Sequence, residues 1–407
     1  MTPTTPAPER STRFSCPHPQ CARCKHPGEG NIAHRSWTGA HKHIERRRCT
    51  ACGREFSARE GTLMARSKLP EATVIQLVQC QRWGVCDEGT ADLCAVDLKT
   101  VYRFQRVAAH RAEAHHRQSG QNLEVPGVQW DEAHAKRRPK QVEWVHTALA
   151  MGSWFLLGVD CGPRTQDTAA ALIAQVVARP QALPRFLTDG WKASTAALRQ
   201  VVGVVHRRRR RGKGGRKPKP RLVAPQTLCY AQVVKVRNTA GQVVEGSRRV
   251  VCGGPRRFGT QLRLRQLGTT IQTAFMERWY GTVRGLVAPL RRRTRCLSWS
   301  RARHKGQVWL VVSLYNFVMP HKSLRQGRTP RTPAMAIGLT DHIWSYGEYV
   351  WLPVHTDPVL TRHMDERIAR LLTPALQDQP IGRTQVPTHV ETLAENEKEV
   401  APLPKAA

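Results

Sequence analysis

The sequence predicts an α+β, multidomain protein: a metal-binding N-terminal module, a helical module, and a mixed β-sheet with flanking helices. Three observations predict it. Cysteines crowd the N-terminus. Apolar residues then recur at helical intervals over residues 71–116. Beyond residue 120, apolar runs of strand length come first and a strand–helix alternation follows.

The chain has 407 residues, enough for roughly two or three domains. Its 65 Lys and Arg against 30 Asp and Glu leave a formal net charge of +35. A balance this one-sided points to a polyanionic partner, because each phosphate neutralised by a cation releases condensed counterions. An ordinary metabolite does not require it. Hydrophobic residues at 40% argue against wholesale disorder. No apolar run approaches the ~18 residues of a membrane span, and residues 2–15 carry no apolar signal core. A cytoplasmic, nucleoid-associated protein without a membrane partner is expected. Clustered cysteines in a chain this long suit metal binding in a reducing compartment better than a disulfide framework.

Residues 1–13 read as a loose Pro/Thr-rich tail, and residues 14–60 as a zinc ribbon. Cys49-Thr50-Ala51-Cys52-Gly53 is a zinc knuckle: two thiolates three positions apart share one Zn²⁺, and the glycine relieves the turn. The other half offers three thiols, Cys16, Cys21 and Cys24, for two places. Cys80, Cys86, Cys94, Cys161, Cys229, Cys252 and Cys296 lack such spacing and read as core or incidental residues.

Residues 68–117 form the helical module. A short helix over 89–94, a turn at Ala95 and Val96, and a second helix capped by Asp97 read as a helix-turn-helix. The second helix is expected to expose Lys99, Arg103 and Arg106 to nucleic acid. Any small helical bundle has the same periodicity; the ribbon before it favours the DNA-binding reading.

Residues 123–355 hold the sheet. Strands are predicted over 125–130, 142–151 and 154–159, a helix over 168–178, a strand over 182–188 and a helix over 193–202. A basic insert at 206–222 interrupts them. It includes Arg207, Arg208, Arg209, Arg210, Arg211 and Lys213 and reads as a DNA-contacting loop. A hairpin over 230–236 and 242–251, helical periodicity from Ile271, and an apolar helix over 308–318 complete it. Residues 375–407 are polar and locally acidic, and a flexible tail is expected.

Acids are scarce, so acids in apolar settings stand out. Asp131 is placed at the end of one strand, with Glu132 next to it, and Asp189 at the end of another. Glu277 lies on a helix whose apolar stripe is Ile271, Phe275, Trp279, Val283, Leu286 and Leu290, and points away from it; Arg284, two turns on, suits a phosphate. Asp131, Asp189 and Glu277 together can hold two Mg²⁺ ions for phosphodiester chemistry. The competing reading has Asp189 capping the next helix and Glu277 paired with an arginine.

The residues around the knuckle (48–57), Gln129-Trp130-Asp131-Glu132, Thr188-Asp189-Gly190-Trp191-Lys192-Ala193 and residues 273–284 together resemble a bacterial insertion-sequence transposase of the DDE type, near the insertion-sequence-one group. Arg292-Arg293-Thr294-Arg295, Tyr315-Asn316-Phe317 with Pro320-His321, and Thr332-Pro333-Ala334-Met335-Ala336 continue the likeness, from about residue 16 to 353. The resemblance implies a ribonuclease-H-like catalytic domain with Asp131, Asp189 and Glu277 as catalytic, Mg²⁺-binding residues. It favours Cys16 and Cys21 as the first zinc pair, with Cys24 a departure that leaves the choice open. It also implies double-stranded DNA partners, both terminal inverted repeats and target, and a homodimer or larger assembly on DNA. Two rivals stand beside it: a non-catalytic transposase-derived regulator, and a nuclease of the same fold that cleaves without joining.

Overall fold

The computed structural model describes residues 14–372, apart from 24–27, 29, 40–42, 139–140, 207–218, 241–242, 265–266, 268–269, 293, 295 and 355–357. Strands β1 (Ile32–Thr38), β2 (Ile44–Cys49) and β3 (Glu55–Ser57) form a small antiparallel sheet beside the cysteines. The predicted helical stretch is three helices: α1 (Glu71–Trp83), α2 (Asp87–Cys94) and α3 (Leu98–Ser119). Left-handed residues make the two breaks, Gly84 at φ +66° and Ala95 at φ +50°. Asp97 caps α3 by accepting the Lys99 amide at 2.7 Å, as its position predicts.

The main sheet follows: β4 (Gly127–Arg138), β5 (Gln141–Ala150), β6 (Leu156–Gly162), α4 (Gln166–Val177), β7 (Arg185–Asp189) and α5 (Lys192–Val202). A two-stranded ribbon, β8 (Val204–His206) with β9 (Arg221–Val223), brackets the basic insert, whose cations from Arg207 to Lys213 lie outside the described residues. Strands β10 (Tyr230–Arg237) and β11 (Val243–Cys252), then α6 (Pro255–Leu264), α7 (Ala274–Leu286), α8 (Arg301–Phe317), α9 (Pro333–Ala336), α10 (Tyr346–Trp351) and α11 (Pro358–Leu372) complete the described chain. The six strands lie in the order β11-β10-β7-β4-β5-β6. Strands β4, β5 and β6 are antiparallel, β7 is parallel to β4, and β10 is parallel to β7. The fold is α+β with a mixed sheet.

Strand β4 runs on through Asp131 to Arg138, beyond the strand read from the apolar run. The extension is polar in composition, yet Ala133 and Ala135 pack into the core on one face. Small residues at alternate positions carry little hydropathy, so the extension is silent in sequence.

Each face of the sheet has its own core. Val128, Trp130, Ala148 and Leu157 pack against α4, α5 and the α1–α3 helices. Ala133, Val145, Leu149 and Val159 pack against Met276, Trp279 and Val283 of α7 and Trp309 and Val312 of α8. Helix α8 lies between α3 and β6 and is buried all round from Val308 to Phe317. Its Asn316 meets the backbone of β6, accepting the Leu156 amide at 3.0 Å and donating to the Leu156 carbonyl at 3.1 Å. A polar residue inside an apolar helix thus satisfies a sheet edge. The helix-turn-helix segment shares the core of the sheet rather than standing apart from it: His116 bonds the Leu157 carbonyl at 3.2 Å, and Arg303 of α8 bonds Asp87 at 2.6 Å. Among the described residues no helix is long and apolar enough to cross a membrane.

Gly84 closes α1 where the C-terminus of α7 arrives. A Cβ on it would lie 2.7 Å from the Gly285 carbonyl and 2.8 Å from Leu286 Cα. Gly84→Ala is expected to cost about 2 kcal/mol or more, since a left-handed Ala alone costs roughly 1–2 kcal/mol. Gly281→Ala, with open space around its Cβ on an exposed part of α7, is expected to gain up to ~1 kcal/mol. Urea unfolding of both variants checks the pair; a neutral Gly84→Ala would deny the close approach.

Candidate functional site

The structure brings Cys16, Cys21, Cys49 and Cys52 together, all four Sγ atoms within 4.8 Å of one another. Cys16 and Cys52 lie 3.6 Å apart, and Cys21 and Cys49 3.9 Å. A tetrahedron of thiolates about 2.3 Å from one ion has edges of about 3.8 Å, whereas a disulfide needs about 2.05 Å. The geometry therefore suits a single tetrahedral metal ion, and the set can hold zinc. Cys24 lies outside the described residues. Burial works against the Cys49 thiolate, but the Cys52 and Ala51 amides and the Asn31 side chain, which donates to Sγ at 3.4 Å, bring its pKa down to about 6. Gly53, at φ +74°, turns the knuckle as the sequence requires. Cys80, Cys94, Cys161 and Cys229 are buried, Cys86 and Cys252 half-buried, and Cys296 is exposed; all are free thiols.

A second convergence sits on the main sheet. Strands β4 and β7 pair in parallel with Gln129 opposite Leu187, so Asp131 and Asp189 each follow two residues later on the same face. Asp131, Glu132 and Asp189 each place a carboxylate oxygen within 4.8 Å of the others. The Asp131 carboxylate accepts the Glu132 amide at 2.7 Å. Burial, then the charges of Glu132 and Asp189, push its pKa up to about 7. Burial and Asp189 raise Glu132 as well, against Arg164, whose Nε donates to Glu132 at 2.6 Å. The Arg164 guanidinium lies 4.9 Å from the ring centres of both Trp144 and Trp191, which hold it against Glu132. Of the three carboxylates, Glu132 is the one that Arg164 pairs with. An excess of negative, oxygen-only donors is the donor chemistry of a hard divalent cation, and the residues fit Mg²⁺.

Asp189 does not cap α5. Its Oδ1 accepts the Trp191 amide at 3.0 Å and shapes the turn, and Trp191 itself takes the N-cap position without a side-chain bond. Glu277 stands outside the carboxylate group. It is exposed in the first turn of α7, and its Oε1 accepts from Lys235 at 2.7 Å and from Thr273 at 3.4 Å. The helix carrying it is nonetheless fastened to β4. Gln129 donates to the Gln272 carbonyl at 2.6 Å and accepts from the Met276 amide at 3.4 Å, and the Tyr280 hydroxyl donates to the Asp131 carbonyl. Arg284 lies half-buried over the Tyr280 ring.

Sequence reasoning named Glu132 without assigning it a part; two consecutive acids in an acid-poor chain were its signal. Arg164 and Lys235 had none, being two cations among 65. On α3, Lys99, Arg103 and Arg106 are exposed as expected, and His110 continues their row at helical spacing. Leu93 and Val107, two of the apolar residues at helical intervals over 71–116, are exposed. No protein-family model matches this chain, and neither does any curated protein.

Purified protein is expected to carry one zinc ion per chain and Cys49→Ser to lose it, read by elemental analysis; a metal-free chain with an intact ribbon would refute the assignment. The raised pKa of Asp131 has a definite sign. The folded protein keeps that proton up to about pH 7 and the unfolded chain releases it near 4, so without divalent ions Asp131 subtracts stability as pH rises from about 4 to 7. Asp131→Asn should therefore melt a few degrees higher than the parent at pH 8 in chelator, with the gain vanishing near pH 4. Mg²⁺ should raise the parent's midpoint and not the variant's.

Proposed function

We propose that the chain is a DDE-type transposase. In this reading it binds the terminal inverted repeats of an insertion sequence and catalyses Mg²⁺-dependent DNA strand cleavage and strand transfer. The observation that carries the reading is the meeting of Asp131, Glu132 and Asp189 on parallel strands, with the Glu277 helix fastened beside them, in a chain of net charge +35. Counted from β4, strands β6-β5-β4-β7-β10 run third, second, first, fourth and fifth. That order, with the first three antiparallel and the next two parallel, supports the ribonuclease-H-like reading suggested by the resemblance.

The residues divide the work as follows. Asp131 and Asp189, joined by Glu277, would bind two Mg²⁺ ions. Bound there, the ions supply charge neutralisation for the phosphodiester undergoing attack. Arg164 holds Glu132 in place and offsets part of the carboxylate charge. Arg284 is placed to meet a phosphate along α7. The cationic row on α3 and the basic insert would hold the terminal repeats and target DNA, and the four cysteines would bind one structural Zn²⁺. A homodimer or larger assembly on DNA would pair the two element ends.

The rival of a specific, non-catalytic regulator predicts DNA binding without chemistry. Labelled terminal-repeat DNA with Mg²⁺ separates the two. Cleavage and joining by the parent are expected, with Asp189→Asn losing at least ~10³-fold in both while retarding the DNA as before. Retardation by the parent without nicking would favour the regulator, and cleavage without joining a nuclease. Undiminished cleavage by Asp189→Asn would remove Asp189 from the chemistry.

A further inference from the structure

We propose that Lys235 is a latch on Glu277. In DNA-free protein it holds Glu277 off the Asp131–Glu132–Asp189 group, and it passes to a phosphate when DNA enters, releasing Glu277 to complete the oxygen donors there. This deepens the transposase reading and rests on it for the identity of the anion.

The geometry follows from strand register. Strand β10 pairs in parallel with β7 with Val233 opposite Asp189, so Lys235 lies two residues beyond, on the face of the sheet that carries Asp189. Helix α7 crosses this face, and there the ammonium meets Glu277 at 2.7 Å. The backbone around Glu277 is fixed from both sides: Gln129 grips Gln272 and Met276, and Tyr280 grips the Asp131 carbonyl. In this proposal the helix stays in place and Glu277 changes partner by rotating its own side chain.

Energetics favour exchange. The side chains are 42% and 56% exposed, so water screens the pair and its worth is small. A phosphate diester brings a full negative charge to the same ammonium, and a divalent ion attracts the freed carboxylate more strongly than a solvated lysine does. Lysine suits a part that must let go, being a compact charge on a flexible stem without the bidentate geometry of arginine. Arg164 makes the contrast: it is held between two tryptophans, and its Glu132 partner is buried.

The test is Mn²⁺ binding to the full-length protein, followed by electron paramagnetic resonance. Without DNA, Glu277→Gln should bind Mn²⁺ as the parent does, while Asp131→Asn and Asp189→Asn bind at least tenfold more weakly. Lys235→Met should tighten binding about two- to fivefold, the range open to an exposed ion pair. That gain should vanish in the Lys235→Met, Glu277→Gln double variant, and Lys235→Arg should behave as the parent. With excess short duplex at low salt, parent binding should become dependent on Glu277. A gain that survives in the double variant would overturn the latch, showing Lys235 to act by charge alone; so would a DNA-free parent already weakened by Glu277→Gln. If Asp131→Asn and Asp189→Asn bind Mn²⁺ normally, the metal centre itself fails and the latch with it. Dependence on the two aspartates without any effect of Lys235 overturns the latch and leaves the metal centre standing.

Discussion

Repulsion between carboxylates that the sheet forces together is the constraint around which this protein is organised. Parallel pairing of β4 with β7 leaves Asp131 and Asp189 no freedom to separate: neighbouring strands lie about 4.8 Å apart, and both side chains leave on one face. Glu132 joins them, and Arg164 pairs with it. Burial first, and then this repulsion, make the Asp131 carboxyl hold its proton to about pH 7. An arrangement that opposes its own ionised form is strain that a bound cation would relieve, and perturbed groups of this kind cluster at functional sites.

Helix α7 ties this centre to the rest of the molecule. Its first turns are fastened to β4 through Gln129 and Tyr280, and Trp279 donates to Thr147 of β5 at 3.0 Å. Its last residues abut Gly84, where Arg291 bonds the carbonyls of both Gly84 and Gly285 at 2.8 Å. Gly84 closes the helix before the helix-turn-helix segment. Helix α7 therefore runs from the carboxylate centre to the end of α1, and Arg303 of α8 ties to α2 and α3 by bonding Asp87 and lying 4.0 Å over the Tyr102 ring.

The cysteine ribbon follows a different logic. Its three short strands bury little: β1 is exposed along almost its whole length. Cys16, Cys21 and Cys49 are its buried cluster, with Ile32 packed against them. A module this thin offers little apolar burial to offset its conformational entropy, and a metal ion held by the four thiols would stabilise it.

Local chemistry was legible from sequence. The Cys49–Cys52 knuckle, the Asp97 cap and the strand leading to Asp189 depend on neighbours a few residues away, so spacing alone determined them. Apolar periodicity marked helices and strands, but Leu93 and Val107 show that period does not say which side faces solvent. Tertiary structure decided everything that rests on register and on contacts between distant segments. Spacing could nominate Asp131, Asp189 and Glu277 as a trio. Only the pairing of β4, β7 and β10 determined that Asp131 and Asp189 leave on one face and that Lys235 meets Glu277, because alternating strand positions differ by a whole face of the sheet, and no local pattern records which strand will lie alongside.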